Sequence, residues 1–106
     1  MSELLPKPLP QQTIQQALND LPGWSFIDNT ITKAFFLADF REALAFLVRI
    51  GFEAEELKHH PELRNVYRSV TVSLNTHDCG GKVTGKDIAL AQRIEKLAAG
   101  MPLGCD

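Results

Sequence analysis

Hydrophobic positions along the chain follow two spacings, and these spacings predict three helices and four strands. Apolar residues three and four apart, typical of amphipathic helices, occupy residues 11–21, 39–59 and 84–99. Strand-like segments lie at 24–27, 31–37, 62–67 and 69–75. The order α-β-β-α-β-β-α predicts an α+β domain, in which a four-stranded antiparallel sheet carries all three helices on one face.

The helix boundaries are marked by specific residues. Residues 39–42 resemble a capping box, and Thr84 with Asp87 forms a second box-like helix start. Pro61 disfavours helical geometry in the residue before it, so the second helix is expected to end near His59.

The side chains of the second helix suggest how it packs. Its expected buried stripe comprises Phe40, Ala43, Leu44, Leu47, Ile50, Ala54 and Leu57. Phe46 lies off the centre of this stripe, which predicts that it faces a partner subunit. Gly51 costs about 1 kcal/mol relative to alanine inside a helix, which predicts a close contact at that position.

The remaining apolar residues predict the core of the sheet. In the segment 69–75, Val70, Val72 and Leu74 alternate with serine and threonine, so one face of this strand is expected to be buried and the other polar. Trp24, the only tryptophan, is expected to be a core residue, because large aromatic side chains usually pack inside proteins.

Composition describes one soluble domain covering residues 1–106. The chain is 44% hydrophobic and 23% charged, which is typical of globular proteins. Three of its six prolines fall within residues 1–10, which predicts an extended, mobile lead-in. A net charge of -2 lacks the basic excess of nucleic-acid-binding proteins. We expect a cytoplasmic protein with no membrane or direct nucleic-acid partner, because no long apolar run or leader pattern is present.

The three histidines are the candidate chemical groups. His59 and His60 fall at the end of the second helix, and His77 follows a strand. The partial negative charge of a helix C-terminus favours protonated imidazole, and Glu55, one turn earlier, would add to it. Such histidines are suited to acid/base catalysis near neutral pH. Surface histidines that only cap a helix are the structural alternative.

Other chemistry has weaker support. Three histidines could in principle bind zinc, but no HExxH or other ligand-spaced pair occurs, so we expect no metal site. Cys79 and Cys105 lack a CxxC arrangement and are expected to be reduced thiols, with Cys79 a passive loop residue.

The spacing of the polar residues resembles that of the pterin-4a-carbinolamine dehydratase family (4a-hydroxytetrahydrobiopterin dehydratase). The matching residues are Glu55, His59, His60, Pro61, Tyr67, His77 and Asp87. The resemblance spans nearly the whole chain and includes the order of its elements. One departure is Leu63, which stands where the family commonly has an aromatic residue.

The resemblance implies a hydro-lyase that converts 4a-hydroxytetrahydropterin to quinonoid dihydropterin. The pterin is its substrate, and no cofactor is expected. It implies that His59 and His77 act as acid and base, and that His60 positions the substrate. Glu55 would orient the histidines, and Asp87 would hold His77 by a hydrogen bond. The implied substrate-binding residues are Lys58, His59, His60, Asn75, Thr76, His77 and Asp78.

The resemblance also implies partners. A homodimer or homotetramer is expected, and the reaction would recycle the tetrahydropterin cofactor of aromatic amino acid hydroxylases, one of which could be a physical partner. Some relatives instead act as dimerisation cofactors of a transcription factor or in enzyme assembly. A non-catalytic interaction protein on the same scaffold is therefore the alternative, since fold alone does not fix function.

Overall fold

The computed structural model describes residues 7–102, and these form the predicted order of helices and strands. The elements are α1 (Gln11–Leu18), β1 (Ser25–Ile27), β2 (Thr30–Phe36), α2 (Phe40–Leu57), β3 (Glu62–Val66), β4 (Ser69–Leu74), a 3₁₀ turn (His77–Cys79) and α3 (Gly85–Ala99). The predicted α+β fold is confirmed. Both α1 and α2 end slightly earlier than the sequence pattern predicts.

The four strands form one antiparallel sheet in the order β1-β2-β4-β3. Two hairpins, β1–β2 and β3–β4, are joined by pairing of their inner strands, so β2 and β4 lie at the centre. Val70, Val72 and Leu74 of β4 are fully buried, as their alternation predicts. The helices cover this apolar face, and the serines and threonines of β4 lie on the opposite face.

The turn between β1 and β2 is tighter than its sequence indicates. Asp28 and Asn29 both have positive φ, 54° and 61°, and the flanking residues Ile27 and Thr30 are paired. A two-residue hairpin loop with positive φ at both positions is the type I′ turn, whose twist matches that of the strands. Aspartate and asparagine tolerate this conformation better than other residues with side chains.

Two predictions for α2 are wrong. Phe46 is fully buried and makes an edge-on contact with Phe35, with ring centroids 5.0 Å apart, so it belongs to the core. The buried face of α2 is centred on Phe46 and Ile50, so Phe40 and Leu44, which were expected to belong to the buried stripe, are exposed instead. At Gly51, no atom among residues 7–102 lies within 4 Å of the position that a β-carbon would take, so no contact among these residues requires glycine there.

Trp24 lies in the core, as predicted, and its polar atom has a partner. The side chain is 6% exposed, its ring meets Phe35 edge-on, and its indole Nε1 donates to Oε2 of Glu95 over 2.8 Å. Lys33 donates to the same carboxylate oxygen over 2.6 Å. This cluster connects α3 to the sheet and satisfies the indole N–H, which would be costly to bury unpaired.

The chain ends lie only partly within the described residues. Residues 1–6 of the predicted lead-in and the tail 103–106 fall outside them. Within the lead-in, the N–H of Leu9 donates to the carbonyl of Val83 over 2.8 Å, and its side chain packs against the core. This part of the lead-in is therefore attached to the domain. Between residues 7 and 102, no helix has the length and apolar character needed to cross a bilayer.

Candidate active site

The backbone at the end of α2 sets the position of His59. Lys58 adopts the left-handed conformation with φ of 53°. Its N–H donates to the carbonyl of Glu55 over 3.1 Å, and the N–H of His59 donates to the carbonyl of Ala54 over 3.0 Å. These two bonds form a Schellman motif, in which glycine usually occupies the left-handed position. The motif turns the chain abruptly and brings the side chain of His59 inward, where it is 7% exposed.

The inward side chain of His59 contacts a buried carboxylate. Nε2 of His59 is hydrogen-bonded to Oδ1 of Asp87, which is fully buried in the first turn of α3. The other oxygen, Oδ2, accepts from the N–H of Thr84 over 2.8 Å and from the hydroxyl of Thr76 over 2.9 Å. Asp87 therefore completes the capping box of α3 and holds the histidine at the same time.

The two threonines form a directed hydrogen-bond chain to this carboxylate. Oγ1 of Thr76 lies 2.6 Å from Oγ1 of Thr84 and donates to Asp87. A hydroxyl has only one proton, so Thr76 must accept from Thr84. Oγ1 of Thr84 in turn accepts from the N–H of Lys86 over 3.2 Å. Every member of the chain has its partner, which fixes the position of the buried carboxylate.

The contact with Asp87 also determines the tautomer of His59. A carboxylate accepts hydrogen bonds, so Nε2 of His59 carries the hydrogen that it donates. The neutral ring then has its lone pair on Nδ1, and Nδ1 is the atom at which His59 can take up or release a proton. This assignment follows from the hydrogen-bond network.

An open pocket of about 440 Å³ lies beside this pair. It is lined by Thr30, Lys58, His59, His60, Pro61, Glu62, Ser73, Asn75, Thr76, His77, Asp78 and Lys86. His77 lies on the exposed 3₁₀ turn. The loop that contains this turn is held together by a hydrogen bond from the N–H of Thr76 to the carbonyl of Lys82 over 2.8 Å. The pocket therefore brings together all three histidines from two separate segments of the chain.

His60 has a different carboxylate partner. Its Nε2 lies 2.9 Å from Oε1 of Glu55, and both side chains are largely exposed. The hydrogen bond and the charge of His60 lower the pKa of the Glu55 carboxyl from its ordinary value of 4.5. His59 is thus bonded to a buried carboxylate and His60 to an exposed one, so the environments of the two adjacent histidines differ.

Two predicted contacts need correction. Asp87 was expected to bond to His77, but its hydrogen bonds within residues 7–102 go to His59, Thr76 and Thr84. Glu55 was expected to orient the histidines as a group, but among residues 7–102 it pairs only with His60. In both cases the sequence spacing indicates that the groups are near one another but cannot show which carboxylate meets which ring.

Two other positions of the family pattern lie away from the pocket lining. Tyr67 is exposed in the turn between β3 and β4, with φ of 52°, and Asn65 donates to its carbonyl over 3.0 Å. Leu63 pairs with Val72 on the covered side of the sheet and packs against the core. Tyr67 therefore forms part of the hairpin, and the side chain of Leu63 points to the core.

The sequence reasoning missed several residues that the structure places at the site. Thr84 belongs to the hydrogen-bond chain, and Thr30, Glu62, Ser73 and Lys86 line the pocket. Asn75, which was predicted, donates its side-chain N–H to Oγ1 of Thr30 over 3.1 Å. The sequence signal for Thr84 was its place as a helix cap three residues before Asp87. Strand pairing brings Thr30, Glu62 and Ser73 to the pocket, and the packing of α3 brings Lys86 to it.

A small α+β domain with a histidine-lined pocket and a buried histidine–carboxylate pair is suited to proton transfer. The family model described as pterin 4 alpha carbinolamine dehydratase matches residues 7–97. The chain belongs to this family.

Similar proteins extend over most of the chain. A relative from Opitutus terrae is 52% identical over 89% of this chain and 97% of its own, and one from Nitrobacter winogradskyi is 51% identical over 77% and 82%. Both are named "Putative pterin-4-alpha-carbinolamine dehydratase". A crystal structure from Brucella melitensis, described as a transcriptional coactivator/pterin dehydratase, matches with a TM-score of 0.81 and 36% identity, covering 86% of this chain and 98% of that one.

Proposed function

We propose that this protein removes water from 4a-hydroxytetrahydropterin to give quinonoid dihydropterin, with histidines as acid and base. The observation that carries the proposal is the pocket shared by His59, His60 and His77, in which His59 is held by the buried carboxylate of Asp87. Family membership supplies the substrate class. The pocket volume of about 440 Å³ is within the range of small-molecule sites.

The chemistry calls for two proton transfers. The C4a–O bond breaks, and the departing oxygen takes a proton and leaves as water. The nitrogen next to C4a loses its proton, and its electron pair forms the new C=N bond. The elimination is redox-neutral, so it needs no electron acceptor. Hydroxide is a poor leaving group, and an acid that titrates near the working pH lowers this barrier most effectively.

The histidines are suited to these steps in different ways. We assign His59 and His77 to acid/base catalysis and His60 to positioning of the substrate. Nε2 of His59 is bonded to Asp87, so the proton is exchanged at Nδ1. The buried carboxylate stabilises the imidazolium form that arises during proton exchange, as a carboxylate does behind a catalytic histidine.

The other pocket residues would hold the pterin ring. Lys58 and Lys86 offer ammonium donors for a ring carbonyl, and Asp78 offers a carboxylate for ring N–H groups. Asn75 is aligned by its bond to Thr30. The hydroxyl of Thr76 is already engaged with Asp87 and Thr84, so Thr76 would act by supporting the carboxylate rather than by binding the ring directly.

We further propose that the reaction occurs in the cytoplasm and recycles the tetrahydropterin of aromatic amino acid hydroxylases. Hydroxylation of an aromatic amino acid leaves the pterin as its 4a-carbinolamine, so such an enzyme would supply the substrate. Direct handover of the pterin between the two proteins would be one form of this partnership, and it would require no change to the chemistry described above.

The decisive experiment is a stopped-flow measurement of 4a-hydroxytetrahydropterin loss. We expect the wild type to accelerate the reaction over buffer, and His59→Ala and His77→Ala each to lower kcat by about 10²–10⁴-fold, the usual contribution of a general acid or base. Gln92→Ala, at an exposed position of α3, is the matched control and is expected to retain full activity. A wild-type rate equal to that of buffer would exclude the dehydratase.

A non-catalytic interaction protein is the second candidate. It is favoured by the description of the Brucella melitensis structure, which includes a coactivator, and by large exposed apolar side chains on α2. The two candidates differ in what the histidines do. An interaction protein would keep its partner when His59 and His77 are replaced by alanine, and the wild type would show no dehydratase activity.

A further inference from the structure

Lys58 occupies a backbone position that does not favour lysine. It ends α2 with φ of 53° and ψ of 45°, the left-handed conformation that glycine or asparagine usually adopts at this point of a Schellman motif. A residue with a long side chain is disfavoured there, and residues held in such conformations cluster at functional sites. The turn alone therefore does not account for a lysine at this position.

The ammonium group of Lys58 is available to a ligand. The side chain is exposed and lines the pocket. It makes no hydrogen bond or salt bridge with any other of residues 7–102, whereas Lys33 is bonded to a carboxylate and to a backbone carbonyl. Glu55, one turn earlier in α2, is bonded to His60 instead. Lys58 thus brings a positive charge without a direct partner to the mouth of the pocket.

The pterin ring needs only one of the two lysines that line the pocket. The ring has a single carbonyl oxygen, and Lys86, which is half-buried, can donate to it. Lys58 is the more exposed of the two and so lies nearer the mouth, where a substituent on the ring would leave the pocket. Lys58 is therefore placed to meet the substituent rather than the ring.

The substituent of a tetrahydropterin begins close to the reacting atoms. It is attached to the ring carbon that is joined to C4a through the nitrogen that loses its proton. His59, which we assign to the reaction at C4a, directly follows Lys58 in the chain. A lysine has a flexible four-carbon stem, so its ammonium group can reach a charged group on the substituent beyond the edge of the ring.

We propose that Lys58 selects tetrahydropterins whose ring substituent carries an anionic group, either a phosphate or a carboxylate. The ammonium group pairs with the anion while the ring is held among the histidines. Glu62 and Asp78 also line the pocket and are exposed, and their carboxylates repel an anion placed elsewhere at the mouth. The inference rests on the proposed function, because it concerns a substituent of the same substrate.

Equilibrium binding of oxidised pterins, which cannot react, tests this selection. The probes are biopterin, whose substituent is uncharged, neopterin monophosphate, which carries a phosphate, and pteroylglutamate, which carries carboxylates. At low ionic strength we expect the wild type to bind at least one anionic pterin about fivefold more tightly than biopterin, the effect of one exposed ion pair. This preference is expected to fall at high salt. A preference for only one anionic pterin would identify the phosphate or the carboxylate as the selected group.

Three variants test whether the preference belongs to Lys58. Lys58→Asn removes the charge and keeps the turn, because asparagine tolerates the left-handed conformation. We expect it to remain folded in urea unfolding and its ratio of affinities for anionic pterin and biopterin to fall to near one. Lys58→Arg keeps the charge and is expected to keep the preference. Lys96→Gln removes a positive charge at an exposed position of α3 outside the pocket lining and is expected to behave like the wild type.

The outcomes separate this inference from its alternatives. A lysine that only complemented the negative end of the α2 dipole would affect stability and leave the ratio of pterin affinities unaltered when replaced. A wild type without the preference, or a Lys58→Asn variant that retains it, would overturn the inference and leave the proposed function intact. A wild type that binds none of the three pterins would exclude the proposed function and this inference with it.

Discussion

The carboxylate of Asp87 is bonded to Nε2 of His59, 28 residues earlier in the chain. The same carboxylate accepts from the N–H of Thr84 and so completes the start of α3. One side chain thus sets both a helix terminus and the tautomer of a candidate catalytic histidine. Because these two functions share one carboxylate, a change at Asp87 is expected to affect stability and activity together.

Asp87→Asn tests this connection. Asparagine replaces one acceptor oxygen by a donor NH₂ group, which would face hydrogen-bond donors in a buried site. We expect the free energy of unfolding to fall by about 1–3 kcal/mol, the cost of an unsatisfied buried group. We also expect kcat to fall by about 10²–10⁴-fold. Urea unfolding and the stopped-flow assay measure the two effects.

Asp39→Asn is the matched control for that substitution. Asp39 caps α2 by accepting from the N–H of Glu42 over 2.9 Å, but it is exposed. Asparagine caps helices about as well as aspartate, so stability and activity are expected to stay near those of the wild type. An Asp87→Asn variant as stable and active as Asp39→Asn would contradict the assignment.

Thr84 provides a test of the hydrogen-bond chain. Thr84→Val removes the hydroxyl and leaves both the Thr76 oxygen and the Lys86 N–H without this partner. We expect a loss of about 1–3 kcal/mol in the free energy of unfolding. Thr84→Ser keeps the hydroxyl and is expected to lose much less. Equal losses in the two variants, measured by urea unfolding, would show that the methyl group and not the hydroxyl matters.

The ion pair of Glu55 and His60 predicts a dependence of stability on pH. The pKa of Glu55 is lowered in the folded state, so its contribution is present above the ordinary value of 4.5 and is lost as the pH falls through the lowered value. Glu55→Gln is therefore expected to lower Tm slightly at about pH 5.5, where both an ordinary imidazole and an ordinary carboxyl group are charged, but not at the lowest pH at which the chain stays folded. High salt should reduce the difference at the higher of these two pH values, because both groups are exposed. A difference that grows as the pH falls would contradict this account.

The packing of α2 predicts opposite outcomes for two phenylalanines. Phe46→Ala opens a cavity in the core and is expected to cost about 3–5 kcal/mol of stability. Phe52→Ala, at an exposed position, is expected to change the stability of the monomer by less than about 0.5 kcal/mol. Urea unfolding at low protein concentration separates this value from any effect on association. A larger loss of stability for Phe52→Ala would mean that Phe52 packs in the core. That result would contradict the buried face assigned to α2.

Local sequence signals predicted the elements of the fold well. The alternation of apolar residues in β4 and their helical spacing in α2 and α3 each indicate that one side of the element is buried. This pattern can be read from residues that are close together in the sequence. The capping residues Asp39 and Thr84 accept hydrogen bonds from backbone N–H groups only two or three residues later, so the starts of α2 and α3 were also predictable. The prediction for Phe46 failed because the apolar residues of α2 extend around both of its faces.

The contacts within the site depended on the tertiary structure. The spacing of Glu55, His59, His77 and Asp87 indicated one site, but the spacing does not determine which carboxylate meets which imidazole. That depends on the left-handed turn at Lys58, which directs His59 inward, and on the packing of α3, which brings Asp87 to it.

The sequence by itself determined the order of the elements, their caps and the residue types of the site, because these follow from interactions between near neighbours in the chain. Only the tertiary structure decided the partner of each histidine and the outward face of α2. Both depend on contacts between segments that are distant in sequence, where rotation of a helix by a single residue, about 100°, changes which of its side chains are buried.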